Sequence, residues 1–157
     1  SPKENRTIPP LRYEVVYRLK KELPHLWIEI NGGVTTLEQA QAHRRSVDAV
    51  MIGRAAYDNP YLFAPADTLF FEDATTPLTR SQVVEAMLPY IQHWVAQGLK
   101  LNSITRHMLM LFHGQPGSRL WRRLITEQAC RPGAGIDVVK SAVAAVEKAA
   151  DIAVTLG

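Results

Sequence analysis

The chain has 157 residues, 46% of them hydrophobic, which is enough to bury the core of one ordinary domain or of two small ones. It contains no apolar run of about 18 residues and no apolar signal core within residues 1–10, so the sequence supports neither a membrane span nor secretion. The net charge of +3 excludes a strongly polyionic chain, and the single cysteine, Cys130, excludes an internal disulfide and a cysteine cluster for metal, so we expect a reduced, cytoplasmic setting.

The first half of the chain predicts a helix followed by two short strands. Residues 11–23 place apolar side chains near helical spacing after a proline pair suited to a helix start, and Pro24 should end the helix. Residues 26–30 are a short, mainly apolar strand candidate, and residues 48–53 contain a continuous apolar run. Such runs are typical of buried strands in a parallel sheet.

Each of these strands should lead into a helix. Thr35 and Glu38 form a possible capping box for a helix over residues 37–45, and a short helix should follow Gly53. The resulting order of helix, strand, helix, strand, helix is typical of two successive β/α units of a parallel sheet.

Residues 66–79, which contain one proline and four threonines, predict a linker, and only helical patterns follow it. Four helices are expected, over residues 81–98, 102–114, 118–129 and 137–154. Because short loops with glycine or proline join these helices, residues 80–157 predict a small helical bundle.

Several single residues refine this prediction. Pro89 predicts a kink or an early break in the first of the four helices, and Ser118 and Asp137 are candidate N-caps. We expect Trp94 and Trp121 to pack in the bundle, with stacking of Trp121 on a nucleic-acid base as the alternative.

Other conspicuous side chains are expected to be structural. Cys130 should be a small, partly buried side chain near a helix end, and His107 and His113 should be helix-surface or partly buried residues without a ligand. Five aromatic residues should pack between the two halves of the chain: Tyr57, Tyr61, Phe63, Phe70 and Phe71.

Basic residues are concentrated in the second half of the chain. Residues 1–77 contain nine Lys/Arg and ten Asp/Glu, whereas residues 78–157 contain nine Lys/Arg and five Asp/Glu. Residues 100–131 hold a single acid, Glu127, beside six basic residues: Lys100, Arg106, Arg119, Arg122, Arg123 and Arg131. This concentration suits a polyanionic partner, and a solvated helix face is the simpler alternative.

Glycine-bearing turns follow both predicted strands. Asn31-Gly32-Gly33 ends the first strand, and Gly53 followed by Arg54 ends the second. A strand that ends in glycine and feeds a helix exposes backbone N–H groups at the positive end of that helix, which suits a phosphate. In (β/α)8 barrels a shared phosphate site of this kind lies after strands seven and eight. We therefore expect phosphate binding here, with plain loop closure as the alternative.

These stretches also resemble a known family. "INGGV" (30–34) and "DAVMIGRAAYDNPYLF" (48–63) are similar to segments of the tRNA-dihydrouridine synthases, and the "NGG" form points to the A-type branch of that family. "LNSITRHMLMLFHGQPGSRLWRR" (101–123) resembles the A-type helical domain, and "SPKENRTIPPLRY" (1–13) resembles the segment before the seventh barrel strand. The resemblance covers almost the whole chain.

The resemblance implies a fold of the α/β plus all-α class. Residues 1–65 would form the last β/α units of a TIM (β/α)8 barrel, residues 66–79 a linker, and residues 80–157 a helical tRNA-binding domain. A barrel needs eight strands, and two are predicted here, so the chain is expected to be the C-terminal portion of such an enzyme.

The resemblance also implies a reaction and its participants. The expected reaction is the FMN-dependent reduction of uridine to 5,6-dihydrouridine in the D-loop of tRNA, with NADPH as reductant. The catalytic cysteine of the family does not match Cys130, so we expect no catalytic residue in this chain and no activity from it alone. We expect no metal, no membrane and a monomeric complete enzyme.

Individual residues take their expected roles from the same resemblance. Asn31, Gly32, Gly33, Gly53 and Arg54 would bind FMN, and tRNA would be contacted by Lys3, Arg6, Arg119 and Arg122. Two alternatives remain at this point. One is another FMN- or sugar-phosphate-binding barrel enzyme that acts on a small molecule, and the other is a non-catalytic RNA-binding protein.

Overall fold

A computed structural model describes residues 10–155 of the chain. The expectations for Lys3, Arg6 and Pro9 lie outside these residues. The first half contains α1 (Tyr13–Glu22), β1 (Glu29–Asn31), α2 (Leu37–Arg44), β2 (Ala49–Met51), α3 (Arg54–Asp58), a 3-10 turn (Pro60–Phe63) and α4 (Ala66–Phe71). The second half contains α5 (Arg80–Ala96), α6 (Leu101–Thr105), α7 (Ser118–Gln128) and α8 (Ile136–Thr155).

The two strands form a small parallel sheet, as the sequence predicts. Ile30 lies opposite Val50 in the register, and α2 is the crossover between the strands. Ile30 is buried and Val50 is half-buried. Both strands are three residues long, shorter than the predicted apolar runs. With two strands, the sheet leaves open edges, and Trp27 before β1 and Met51 at the end of β2 are 76% and 47% exposed.

An ion pair joins α1 to the start of both strands. Lys20 Nζ lies 2.7 Å from Asp48 Oδ2 and donates hydrogen bonds to the carbonyl oxygens of Pro24 and Leu26. The same carboxylate oxygen accepts the backbone N–H of Ile28 at 2.8 Å. The pKa of Asp48 is lowered below its usual 3.8, mainly by the hydrogen bond from Lys20 and next by the hydrogen bond from Ile28.

The cap of α2 lies one residue later than the sequence predicts. Thr36, not Thr35, is the N-cap, and its hydroxyl accepts the backbone N–H of Gln39. The Gln39 side chain in turn accepts the backbone N–H of Thr35. Both Thr35-x-x-Glu38 and Thr36-x-x-Gln39 fit the capping pattern, so the sequence alone could not select between the two frames.

Helices α5, α6, α7 and α8 share one hydrophobic core. Trp121 is fully buried there, and its indole N–H donates to the Met108 carbonyl at 3.0 Å. Trp121 therefore packs as expected and does not offer its face to a base. Trp94, in contrast, is 41% exposed. The division into a barrel part, a linker and a helical domain stays a prediction.

The predicted helix over residues 102–114 is wrong for most of its length. Only Leu101–Thr105 is helical, and a series of turns continues to α7. Met108, Leu111 and Phe112 still reach the core, which explains the misleading helical spacing. Two carbonyl oxygens in these turns accept hydrogen bonds from side chains of other helices. Trp121 donates to the Met108 carbonyl, and Arg80 Nε donates to the Leu111 carbonyl at 2.9 Å.

Arg80 also connects α5 to the 3-10 turn. Its guanidinium lies over the ring of Tyr61, 3.8 Å from the ring centroid, and the Tyr61 hydroxyl donates to the Leu78 carbonyl at 2.7 Å. Tyr61 packs against the shared helical core as well. The segment that follows β2 is therefore held to the helices by stacking, by a hydrogen bond and by apolar contact.

Three smaller predictions need correction. Helix α5 continues through Pro89 without a break. Asp137 is in the first turn of α8, which begins at Ile136. Ser118 is the first residue of α7, and the N-cap is Gly117. Gly117 has a φ of +78°, and a Cβ there would lie 3.2 Å from Cα of Val146, so the close approach of α8 favours glycine over a side-chain cap.

Candidate functional site

The two glycine turns lie at the same edge of the sheet. Asn31 and Met51 are paired at the carboxyl ends of the parallel strands, so Gly33 and Gly53 leave the sheet on one side. Between the turns is a cleft of about 280 Å³. Four of the five residues predicted for the phosphate site line this cleft, and Gly32 does not. The complete lining consists of Asn31, Gly33, Val34, Thr35, Met51, Gly53, Arg54 and Ala55.

Local geometry requires glycine in the first turn. Gly32 and Gly33 have φ values of +122° and +68°, which are unfavourable for residues with a side chain. A Cβ on Gly33 would lie 2.8 Å from Leu11 Cδ1 and 2.9 Å from Tyr13 Oη. The turn is therefore seated closely on the segment that begins α1.

Gly53 is glycine for a different reason. Its φ is −94°, and no described atom lies within 4 Å of a Cβ placed there. Packing within residues 10–155 therefore does not exclude a side chain. Gly53 also lines the cleft, where a residue without a side chain lets a ligand approach the backbone closely.

Arg54 gives the cleft a positive charge. It is the first residue of α3, its side chain is exposed, and residues 10–155 offer it no carboxylate partner. A guanidinium beside free backbone N–H groups is suited to an anion such as phosphate. The donors of the cleft therefore fit a phosphate group.

A second candidate surface lies on α7. Trp121 and Ile125 bury one face of this helix, while Arg119 and Arg122 are exposed on another face at i, i+3 spacing. Arg123 is exposed as well. The two predicted tRNA-contacting arginines therefore lie where an extended polyanion can reach them.

The other described residues singled out in the sequence show no sign of a ligand site in the structure. His107 is exposed, and it makes hydrogen bonds to the Tyr57 hydroxyl through Nδ1 and to Arg106 Nε through Nε2. Cys130 is exposed, not partly buried as expected. Tyr57 is 60% exposed, but its ring packs against that of His107 with 6.0 Å between ring centroids, which agrees with the expected contact between the two halves. Phe71 is 77% exposed, so the packing expected for it is wrong within the described residues.

No metal-binding group or membrane span is found in residues 10–155. No three His, Cys, Asp or Glu side chains among them are grouped so that they could hold a metal ion. None of their helices combines the length and the apolar character that crossing a bilayer requires.

The sequence did not reveal the support beneath the first turn. The Tyr13 hydroxyl donates to the Gly32 carbonyl at 2.5 Å, across a sequence separation of 19 residues. Tyr13 occupies the first turn of an amphipathic helix, where a tyrosine is common, and no spacing rule connects it to a glycine turn. Only the three-dimensional arrangement identifies it.

Comparison with known proteins gives a consistent result. Residues 1–149 match the family described as dihydrouridine synthase (Dus). A relative from Synechocystis is 52% identical over 145 residues, which is 92% of this chain and 43% of the relative. A relative from Shewanella oneidensis is 53% identical over 147 residues, or 94% of this chain and 44% of the relative.

A third relative, from Vibrio cholerae, is 52% identical over 146 residues, or 93% of this chain and 45% of the relative. All three relatives are named tRNA-dihydrouridine(20/20a) synthase, and the chain spans less than half of the length of each. The resemblance predicted from the two glycine turns is thereby confirmed, and with it a TIM barrel as the fold to which the paired parallel strands correspond. The chain belongs to the dihydrouridine synthase family.

Proposed function

We propose that this chain is the C-terminal portion of an enzyme that reduces uridine to 5,6-dihydrouridine in the D-loop of tRNA, with FMN as cofactor and NADPH as reductant. The names of the relatives support the reaction and the tRNA substrate. They argue against the alternative of a barrel enzyme for small molecules. The complete protein would act as a soluble, cytoplasmic monomer.

The shared cleft carries this proposal. Gly33 and Gly53, at the same edge of the sheet, line one volume in which their backbone N–H groups would bind an anion, and Arg54 adds a positive charge. The phosphate of FMN would bind there, and the Asn31 amide would contact the phosphate or the adjoining ribityl chain. The chemistry that FMN supplies when bound is hydride transfer to the uracil ring. These residues bind the phosphate end and thereby orient the flavin.

The arginines of α7 would bind the tRNA backbone. Arg119 and Arg122 are exposed on one helix face and can contact successive phosphates. Lys3 and Arg6 would contribute further contacts from the segment before α1. A uridine must leave its stack to reach a flavin, so a surface that holds the RNA backbone apart from the chemistry is useful.

None of the described residues is assigned a catalytic role. Proton donation to the uracil ring would come from a cysteine elsewhere in the complete enzyme, because Cys130, just after the end of α7, does not lie in the catalytic motif of the family. This chain would therefore contribute cofactor binding and RNA binding.

Arg54→Ala in the complete enzyme tests the cleft. A charge-assisted hydrogen bond contributes about 1.5–3 kcal/mol, so the Kd for FMN should rise roughly tenfold to hundredfold. Arg45→Ala is a matched control, because it removes an exposed arginine at the end of α2 that does not line the cleft. Titration of the apoenzyme with FMN, followed by flavin fluorescence, measures both. An unchanged Kd for Arg54→Ala would exclude phosphate binding in this cleft.

A further inference from the structure

Tyr13 lies directly behind the first glycine turn. Its hydroxyl donates a hydrogen bond to the Gly32 carbonyl at 2.5 Å, and its oxygen would be 2.9 Å from a Cβ on Gly33. The side chain of Leu11 covers the same side of both glycines. Neither Tyr13 nor Leu11 lines the cleft, whereas Gly33 does.

This hydrogen bond fixes the direction of a backbone donor. The Gly32–Gly33 peptide is trans and planar, so the Gly32 carbonyl and the Gly33 N–H point in opposite directions. Because the carbonyl is held toward Tyr13, the Gly33 N–H is held away from Tyr13, which does not line the cleft, whereas Gly33 does. Residues 10–155 supply no backbone acceptor for that N–H.

Without the hydroxyl, the turn would be easier to reorient. Both flanking residues are glycines with positive φ, and glycine reaches several backbone conformations at low cost. A rotation of the peptide plane between them would turn the Gly33 N–H out of the cleft. The Tyr13 hydrogen bond opposes this rotation.

The position of Tyr13 is itself fixed by neighbouring aromatic side chains. Its ring packs against the ring of His43 in a T-shaped arrangement, with 4.5 Å between ring centroids, and His43 is buried in α2. His43 Nδ1 forms a 2.6 Å hydrogen bond with the Tyr17 hydroxyl, one turn farther along α1. Tyr17 therefore supports the same helix pair but does not touch the glycine turn.

We propose that Tyr13 is a positioning residue for phosphate recognition: it holds the Gly32–Gly33 peptide so that the Gly33 N–H donates to the phosphate of the bound flavin. This inference rests on the proposed function of the cleft. It predicts that recognition of the phosphate depends on the Tyr13 hydroxyl and that binding of the flavin ring does not.

Tyr13→Phe in the complete enzyme tests the inference, with FMN and riboflavin as paired ligands. Riboflavin lacks the phosphate, so the ratio of the two Kd values isolates phosphate recognition. The variant should bind FMN roughly fivefold to tenfold more weakly, from the net contribution of one hydrogen bond, and should bind riboflavin unchanged. The 31P resonance of bound FMN should also shift, which a purely structural role would not cause.

Two further variants separate the possible results. Tyr17→Phe removes the hydroxyl that contacts His43 and should leave the ratio of Kd values as in the wild type. Arg54→Ala should lower the preference for FMN, and if it does not, the proposed cleft is wrong and the inference falls with it. If Arg54→Ala lowers the preference and Tyr13→Phe leaves both the ratio and the 31P resonance unchanged, the inference alone is overturned. Equal weakening of FMN and riboflavin by Tyr13→Phe would also overturn it, since Tyr13 would then support the fold only.

Discussion

Removal of the two exposed arginines of α7 should change how tRNA binding depends on salt. Arg119 and Arg122 lie on an exposed face of the helix, whereas Trp121 and Ile125 are buried on another face, so the loss of the arginines leaves the core intact. Each phosphate contact contributes a log–log slope of about −0.7 to −0.9 through counterion release. The double alanine variant should therefore flatten the slope by about 1.5 in the complete enzyme.

The same change can be expressed as affinity. Over a fourfold rise in salt, from about 50 to 200 mM, a slope difference of about 1.5 corresponds to a loss of tRNA affinity that is roughly eightfold smaller than in the wild type. Fluorescence anisotropy of labelled tRNA at five or six salt concentrations would measure the slope. Thermal unfolding of the variant would show that the helix remains folded.

Matched variants decide whether the effect belongs to this face. Arg44→Ala with Arg45→Ala removes two exposed charges from the end of α2, and Glu127→Gln changes an exposed charge on α7 itself. Both should leave the slope within about 0.3 of the wild-type value. An unaltered slope for the Arg119 and Arg122 double variant would show that the two arginines are a solvated face. The next candidates would then be Lys100, Arg106 and Arg123.

Three further predictions concern stability and the chain by itself. The pKa of Asp48 is lowered in the folded state, so its contribution to stability is present above about pH 4 and is lost as the pH falls through the folded pKa. The difference in unfolding free energy between the wild type and Asp48→Asn should therefore shrink between pH 7 and pH 3. A constant difference would contradict this. Trp121→Phe should lower the free energy of unfolding by about 1–3 kcal/mol in denaturant titrations, because it leaves the buried Met108 carbonyl without its indole donor, whereas Trp94→Phe should change it by less than about 0.5 kcal/mol. The isolated chain should purify without flavin and should not reduce uridine in tRNA, and NADPH-dependent turnover by it would show that the catalytic residues are misplaced.

Regular patterns with a chemical reason were predictable from the sequence. The glycine turns follow apolar runs, and parallel strands bring their carboxyl ends together, so the shared cleft of Gly33, Gly53 and Arg54 could be predicted without coordinates. The selection of Arg119 and Arg122 came instead from the resemblance to the family, and both are exposed on α7. For the glycine turns, one sequence pattern and one physical rule led to a single arrangement.

Patterns with two compatible solutions were not predictable. Residues 106–114 belong to the predicted helix and have helical hydrophobic spacing, but two of their carbonyl oxygens accept hydrogen bonds from Trp121 and Arg80, and such long-range contacts leave no mark in a local pattern. Two overlapping capping boxes at Thr35 and Thr36 were equally good by sequence. The support of Gly32 by Tyr13 joins residues 19 positions apart and belongs to tertiary structure alone.

The contact of Tyr61 with Arg80 has a consequence for insertions and deletions. Residues 55–60 are all that separates Arg54, in the cleft, from Tyr61, which is held against α5 and the helical core. A chain that is fixed at both ends of such a short segment cannot absorb an added or missing residue as an exposed loop does. One extra residue here would shift the helices relative to the cleft, whereas the segment from residue 72 to residue 78, which has no helix or strand, should accept changes in length. We expect length variation among natural homologues to be confined to the second segment.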